Sequence, residues 1–268
     1  AVTIDVNAGT GTIVFATGAD ITTTGSAAAA GTNADGGAGG LVTLNTNNAL
    51  ITLNDTTIDT TGGAGDGGGA QGAGGAVTFS DEVALATGGV TITTGASAGT
   101  ITFSDTLNGT QTLSLTAGTG NIDFDAAVGG SNALGLVTIV SGGTVDTDAA
   151  FKSAGLDWTA TTEIQLDGLV TSTGTVDLSA ALIDVNAGIT AAGQLVDLNA
   201  GANGLTVDGG AITTTGGAAA AGGAIDIDSS GGGVTINSNL VSSGGTAAAG
   251  GLAGGAVTID VTGGTGTI

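Results

Sequence analysis

The chain has 268 residues and a net charge of −22, with 23 carboxylates against a single basic side chain, Lys152, and it contains no Cys, Met, Pro, His or Tyr. Counterion displacement from phosphates needs Lys and Arg, so a nucleic-acid partner is excluded, and binding to anionic lipid is disfavoured for the same reason. Disulfides are impossible, and a nucleophile activated by His is ruled out.

Hydrophobic residues still make up 41% of the chain, and mean hydropathy is +0.45. That is enough to build a core. Its alphabet is mainly Ala, Val, Ile and Leu, with aromatics at only 2% and 55 Gly. Small and β-branched residues with frequent Gly suit a narrow interior with tight corners. No apolar run reaches the ~18–20 residues of a transmembrane helix, and too few aromatics are present for the girdles of an outer-membrane barrel. No basic segment opens the chain, so no signal peptide is expected in this stretch.

One short alternating pattern recurs along the chain. It begins at Val2-Thr3-Ile4-Asp5 and returns at Val42, Val77, Ile101 and Ile122. It continues at Leu156, Val176, Val196, Ile225 and Val257. Four residues of period-two alternation predict a short strand with one buried face. The closest starts, Leu156 to Val176 to Val196, are 20 residues apart. We read one coil as about twenty residues, with insertions lengthening the others, which gives nine coils per period. Two further apolar pairs follow in each coil, such as Ile13/Phe15 and Ile21, or Val83/Leu85 and Val90/Ile92. Three strands per coil, with Gly, Asn and Asp at the corners, predict an all-β, three-sided, right-handed parallel β-helix, a β-solenoid. Nine coils would rise ~43 Å. The segment from Gly130 to Gly155 fits this register worst, and Val137–Val140 is expected to open a shortened coil.

Four Gly/Ala tracts are inserted: Ser26–Gly40, Gly63–Gly75, Gly217–Gly223 and Gly244–Gly255. Each follows what reads as the third strand, so all four are expected on one edge of the solenoid. Phe79, Phe103, Phe124 and Trp158 occupy the same inward place in the pattern, predicting one internal aromatic ladder. The outward neighbour changes from Thr (Thr3, Thr43, Thr78, Thr102) to Asp (Asp123, Asp157, Asp177, Asp197, Asp226), then back to Thr258. Carboxylates stacked ~5 Å apart repel, which raises their pKa values or recruits cations. Two readings of this stripe stand open: a solvated acidic face, and weak ligands for Ca²⁺, with Asp5, Asp125, Asp228 and Asp260 adding oxygens. No other cofactor is expected.

The first thirteen residues, AVTIDVNAGTGTI, return as AVTIDVTGGTGTI at residues 256–268, identical at eleven positions and offset by 255. The chain therefore reads as a single solenoid, one period of a longer repeating protein or filament.

The turns GGAVTF, GTITFSD, GTVDLS and GGAIDID resemble the coils of right-handed parallel β-helices of the filamentous-haemagglutinin type and of large bacterial β-solenoid adhesins. The resemblance spans nearly the whole chain. It implies a long extracellular stalk or filament at the cell surface and no active site. The expectation is a non-enzymatic structural component of a bacterial or archaeal filament, sheath or adhesin stalk, partnered by identical copies or further repeats of itself. Two alternatives remain. One is an ice- or glycan-binding module, using Thr ladders such as Ile21–Gly25 or contacts to surface glycans. The other is a polysaccharide-cleaving β-helix built on paired carboxylates.

Overall fold

The computed structural model describes residues 1–6, 11–246 and 250–262. Every regular element among them is a strand, from Val2–Asp5 to Val257–Val261, and none is a helix that could cross a membrane. The strands pair in parallel with those one coil away, in three continuous ladders.

Face A stacks Val2, Val42, Val77, Ile101, Ile122, Val145, Ile164, Ile183, Leu205 and Val234. Face B stacks Ile13, Ile51, Val83, Leu107, Val128, Phe151, Val170, Ile189, Ile212 and Leu240. Face C stacks Ile21, Ile58, Ile92, Leu115, Ile139, Trp158, Leu178, Leu198, Ile227 and Ile259. The chain visits A, B and C in order, ten times, confirming the three-sided parallel solenoid. Alternation is the cause. Each strand points its apolar residues inward, where nearly all are fully buried, and its Thr, Ser or Asp outward.

The coil count and phase differ from the sequence reading. The described residues form ten coils, nine and two further sides per 255-residue period against the nine read from the sequence, and the ten recurrences of the pattern do not share one face. The five from Val2 to Ile122 lie on face A. The five from Leu156 to Val257 lie on face C. The slip falls in the segment that fitted worst. Val137–Val140 opens no coil. It is the face C side of the fifth coil, within the long strand Leu134–Thr147, which bends onto face A at irregularities around Gly142. The strands Phe151–Leu166, Val176–Val185 and Val196–Val207 turn the same C-to-A corner as continuous strands, with the pairing register shifting at the corner between Thr159 and Glu163 and between Ala180 and Leu182.

Interior aromatics converge where the middle coils meet. Phe79, Phe103 and Phe124 stack on face A with centroids 4.8 and 5.3 Å apart and planes within 4°. Trp158 is not the fourth rung of that ladder, which passes next to Thr147. It enters from face C and still lies nearly parallel to Phe124, 6.3 Å away. Phe151, from face B, sets its edge against both, at 5.3 and 5.1 Å. One ring from each side thus fills the centre of the triangle.

Corners are held by side chains that satisfy the turning backbone. Asp81 is buried and accepts the N–H groups of Thr46 and Asn48 at 2.6 and 2.8 Å. Burial works against its charge, but these hydrogen bonds outweigh it and keep the carboxyl below its ordinary range.

Candidate functional site

Two features rise above the uniform lattice: the Gly/Ala insertions and the outward acidic rows. The insertions are hydrogen-bonded fins. The first, between Ile21–Thr22 and Val42–Asn45, lies on the second, between Thr57–Asp59 and Val77–Phe79. Gly25 and Ala28 on the outgoing leg donate to the Thr61 and Ala64 carbonyls, and Gly36 and Gly39 on the returning leg donate to Ala70 and Ala73, all at 2.8–2.9 Å. Bonds also cross within a fin, from Gly37 to the Ser26 carbonyl and from Gly72 to Gly63, both 2.8 Å. Donors three residues apart on each leg give the period of an extended polyproline-type chain, and here the otherwise solvated backbone groups bond to neighbouring legs.

Glycine is required by this spacing. A Cβ on Gly36 would sit 1.8 Å from the Gly63 oxygen, and one on Gly63 would sit 1.9 Å from the Ser26 oxygen. Three of the fins are fastened at the base by a Thr two residues past the last inward apolar residue, and in the fourth Ser242 takes that place and donates to the Gly223 carbonyl of the fin beneath at 2.6 Å. Thr23, Thr60 and Thr214 donate Oγ1 to the carbonyls of Gly40, Gly75 and Gly223 at 2.5, 2.6 and 2.7 Å. Thr60 and Thr214 are fully buried, so the bond satisfies both partners where water cannot.

The second pair of fins repeats this geometry. Gly216, Ala219 and Gly222 donate to the Ser243, Thr246 and Ala253 carbonyls at 2.9–3.0 Å. Its place does not repeat. The first two fins leave the solenoid between faces C and A, whereas the last two leave between Ile212 or Leu240 on face B and Ile225 or Val257 on face C. The expectation of a single edge is corrected: two edges carry two fins each. The part of the fourth tract at 247–249 lies outside the described residues, as does the recurrence at 263–268.

The predicted acidic stripe also divides. Asp157, Asp177, Asp197 and Asp226 form one ladder on face C, flanked by Thr138 and Thr258. Asp123 is not among them. It stands on face A, beside Asp146 in the next coil. Burial, then Asp157, raises the Asp177 carboxyl above its ordinary value; burial, then Asp177, does the same for Asp197. Burial followed by repulsion from Asp125 raises Asp123.

The tightest carboxylate group was not picked out from the sequence. Asp146, Asp148 and Asp167 each bring an oxygen within 4.8 Å of the others. Register explains it: Asp146 is outward on face A, and Asp148 and Asp167 follow Thr147 and Leu166, which are paired across adjacent coils. Burial of Asp146, with Asp148, Asp167 and Asp123 around it, lifts its pKa to about 6. Its Oδ1 is buried without a hydrogen-bond partner. Three hard oxygens at this spacing suit a divalent cation such as Ca²⁺. A shallow polar groove runs along the outgoing corner of face C, past Ser179, Asn199, Asp228 and Asp260.

No protein-family model, curated protein or solved structure matches the chain, so its classification rests on its own architecture: a three-sided parallel β-solenoid.

Proposed function

We propose that this chain is a non-catalytic structural segment of an extracellular filament, sheath or adhesin stalk, extended along the solenoid axis through copies or repeats of itself. The supporting observation is modularity. One sequence cassette, a strand, a Thr or Ser at the fin's base, a Gly/Ala fin and a returning strand, occurs on two different pairs of faces, with the same backbone bonds between stacked fins and the same Thr-to-Gly bond at the base of the first and third. Each coil contacts chiefly its immediate neighbours, which is the energetics of an extendable array. The acidic outer rows suit a surface that stays hydrated and resists lateral collapse.

Electron microscopy with fibre diffraction tests the reading. Concentrated protein, with and without millimolar Ca²⁺, should form fibres whose meridional spacing is ~4.8 Å, because the strands stack along the axis. Compact isolated particles under every condition would remove the filament role. Thermal hysteresis would point instead to an ice-binding module, and sugar release from polysaccharide to the hydrolase reading.

A further inference from the structure

The recurrence of 255 residues does not correspond to a whole number of coils. Val2–Asp5 lies on face A of the first coil, and its sequence equivalent Val257–Val261 lies on face C of the tenth. Counting sides along the three ladders, the offset is nine coils and two further sides. We propose that the partner of this chain is a further copy of the same sequence, taken up in the register of the recurrence and turned by two-thirds of a coil, 240°, for each ~46 Å of rise. This rests on the structural reading above but fixes what that reading leaves free, the rotation between copies.

Three observations support it. First, residues 256–261 repeat residues 1–6 without change, AVTIDV. A strand equivalent to Val42–Asn45 can therefore pair with Val257–Asp260 as Val42–Asn45 pairs with Val2–Asp5. Second, the cassette is accepted on more than one edge: the first two fins leave between faces C and A and the last two between faces B and C, the edge that the rotated first fin would use. Third, the rotation brings the fins together. With a 240° turn, the first fin of the following copy leaves by the B-to-C edge, one coil beyond the fourth fin. Two pairs of fins on separate edges become a ridge four fins deep. Gly244 and Gly254 occupy the places of Gly216 and Gly222, which donate within the chain, and Thr24 and Ala38 of the following copy occupy the places of the accepting Ser243 and Ala253. An unrotated stack would leave the pairs on different edges.

One residue makes the new layer looser than the two existing ones. Ser26 stands where Gly63 and Gly245 stand, and a Cβ at those two positions falls 1.9 and 1.8 Å from a carbonyl of the fin beneath. The following copy's first fin must therefore lift away at Ser26.

The test is a tandem polypeptide, residues 1–255 followed by residues 1–268, imaged by cryo-electron microscopy. The expected image is one unbroken solenoid with four consecutive fins on one edge between two edges that carry only a pair. A second copy stacked without rotation, or a break in the ladders at the junction, overturns the register, whereas fibre formation by the single chain is read separately. Ser26→Gly in the second copy should raise the melting temperature of the tandem, and the same change in the single chain should not. Equal effects in both would place Ser26 outside any such junction.

Discussion

Truncating Phe103 to Ala removes the middle ring of the interior stack. Phe103 is 1% exposed and lies between Phe79 and Phe124, with centroids 4.8 and 5.3 Å away and planes within 4° of both. Loss of a fully buried Phe ordinarily costs about 3–5 kcal/mol, including the cavity. The upper half of that range applies here, because two stacked partners lose their neighbour at once, each contact being worth about 0.5–1.5 kcal/mol. The strands of both adjacent coils are locked into their ladders, so the cavity cannot close by simple collapse. Phe103→Leu keeps most of the apolar volume and should cost about 1–2 kcal/mol, the range for an imperfect shape swap. Urea unfolding monitored by circular dichroism gives the total. Fluorescence of the sole Trp, Trp158, reports separately on the coil two steps further on. In an array of nearest-neighbour contacts, a weak fourth coil should split the transition, with the Trp signal surviving past the first loss of strand signal. A cost below about 1 kcal/mol for Phe103→Ala, with both probes still coincident, would refute the stacked interior.

The remaining predictions concern the acidic group and the fins. Asp146 has a folded-state pKa raised from 3.8 to about 6, so the folded protein binds a proton more tightly than the unfolded chain. The contribution of Asp146 to stability should be fully present below pH ~4, fall as pH rises towards 6, and stay lost above it, opposite in sign to that of Asp81, whose lowered pKa favours the fold at higher pH. Full conversion of the shift gives about 3 kcal/mol, and screening at a partly exposed carboxylate reduces this to about 1 kcal/mol. Asp146→Asn should therefore stabilise the protein by about that amount at pH 7 and by nothing at pH 3, measured by thermal melts across pH. Millimolar Ca²⁺ should raise the melting temperature of the parent chain at pH 7 and do less for Asp146→Asn; no calcium effect on the parent would leave the three carboxylates a hydrated face. Gly36→Ala drives a methyl into the Gly63 carbonyl and should cost about 1–3 kcal/mol of overpacking, while Gly68→Ala, which meets nothing within 4 Å, should be near neutral. Equal stabilities for the two would mean that the first and second fins do not stack.

Much of this architecture was legible in the residues. Alternation such as Val77-Thr78-Phe79 named the inward side chains, and the ~20-residue recurrence gave the coil. Face identity was hidden, and the reason is physical. Ile122-Asp123-Phe124 and Leu156-Asp157-Trp158 have the same pattern because each side of the triangle presents the same alternation to one shared interior. Nothing local distinguishes face A from face C. Only the number of strands between them does, and the segment 130–155 holds three sides in succession, at Ile139, Val145 and Phe151, with few turn residues to mark them. The misplacement of Asp123, of Trp158 and of the last two fins all follow from that one slip. Phe151 was overlooked as a ring because it stands on face B, outside the pattern that carries Phe79, Phe103 and Phe124, and the other inward Phe of that face, Phe15, lies five coils away. The Asp146 group was overlooked because its members sit at different places in the alternation and meet only across adjacent coils.

The interchangeability of faces also bears on how such a gene changes length. In most solenoids a viable insertion or deletion is a whole coil, since anything less would put polar residues inside. Here the smallest neutral step is a single side of the triangle. Unequal recombination between two copies of the strand–Thr–fin cassette would leave every downstream side chain facing inward or outward as before, and would only swing the downstream chain around the axis. Length and angular placement of surface features can then drift independently of the core, and related chains should differ by counts of sides that need not be multiples of three.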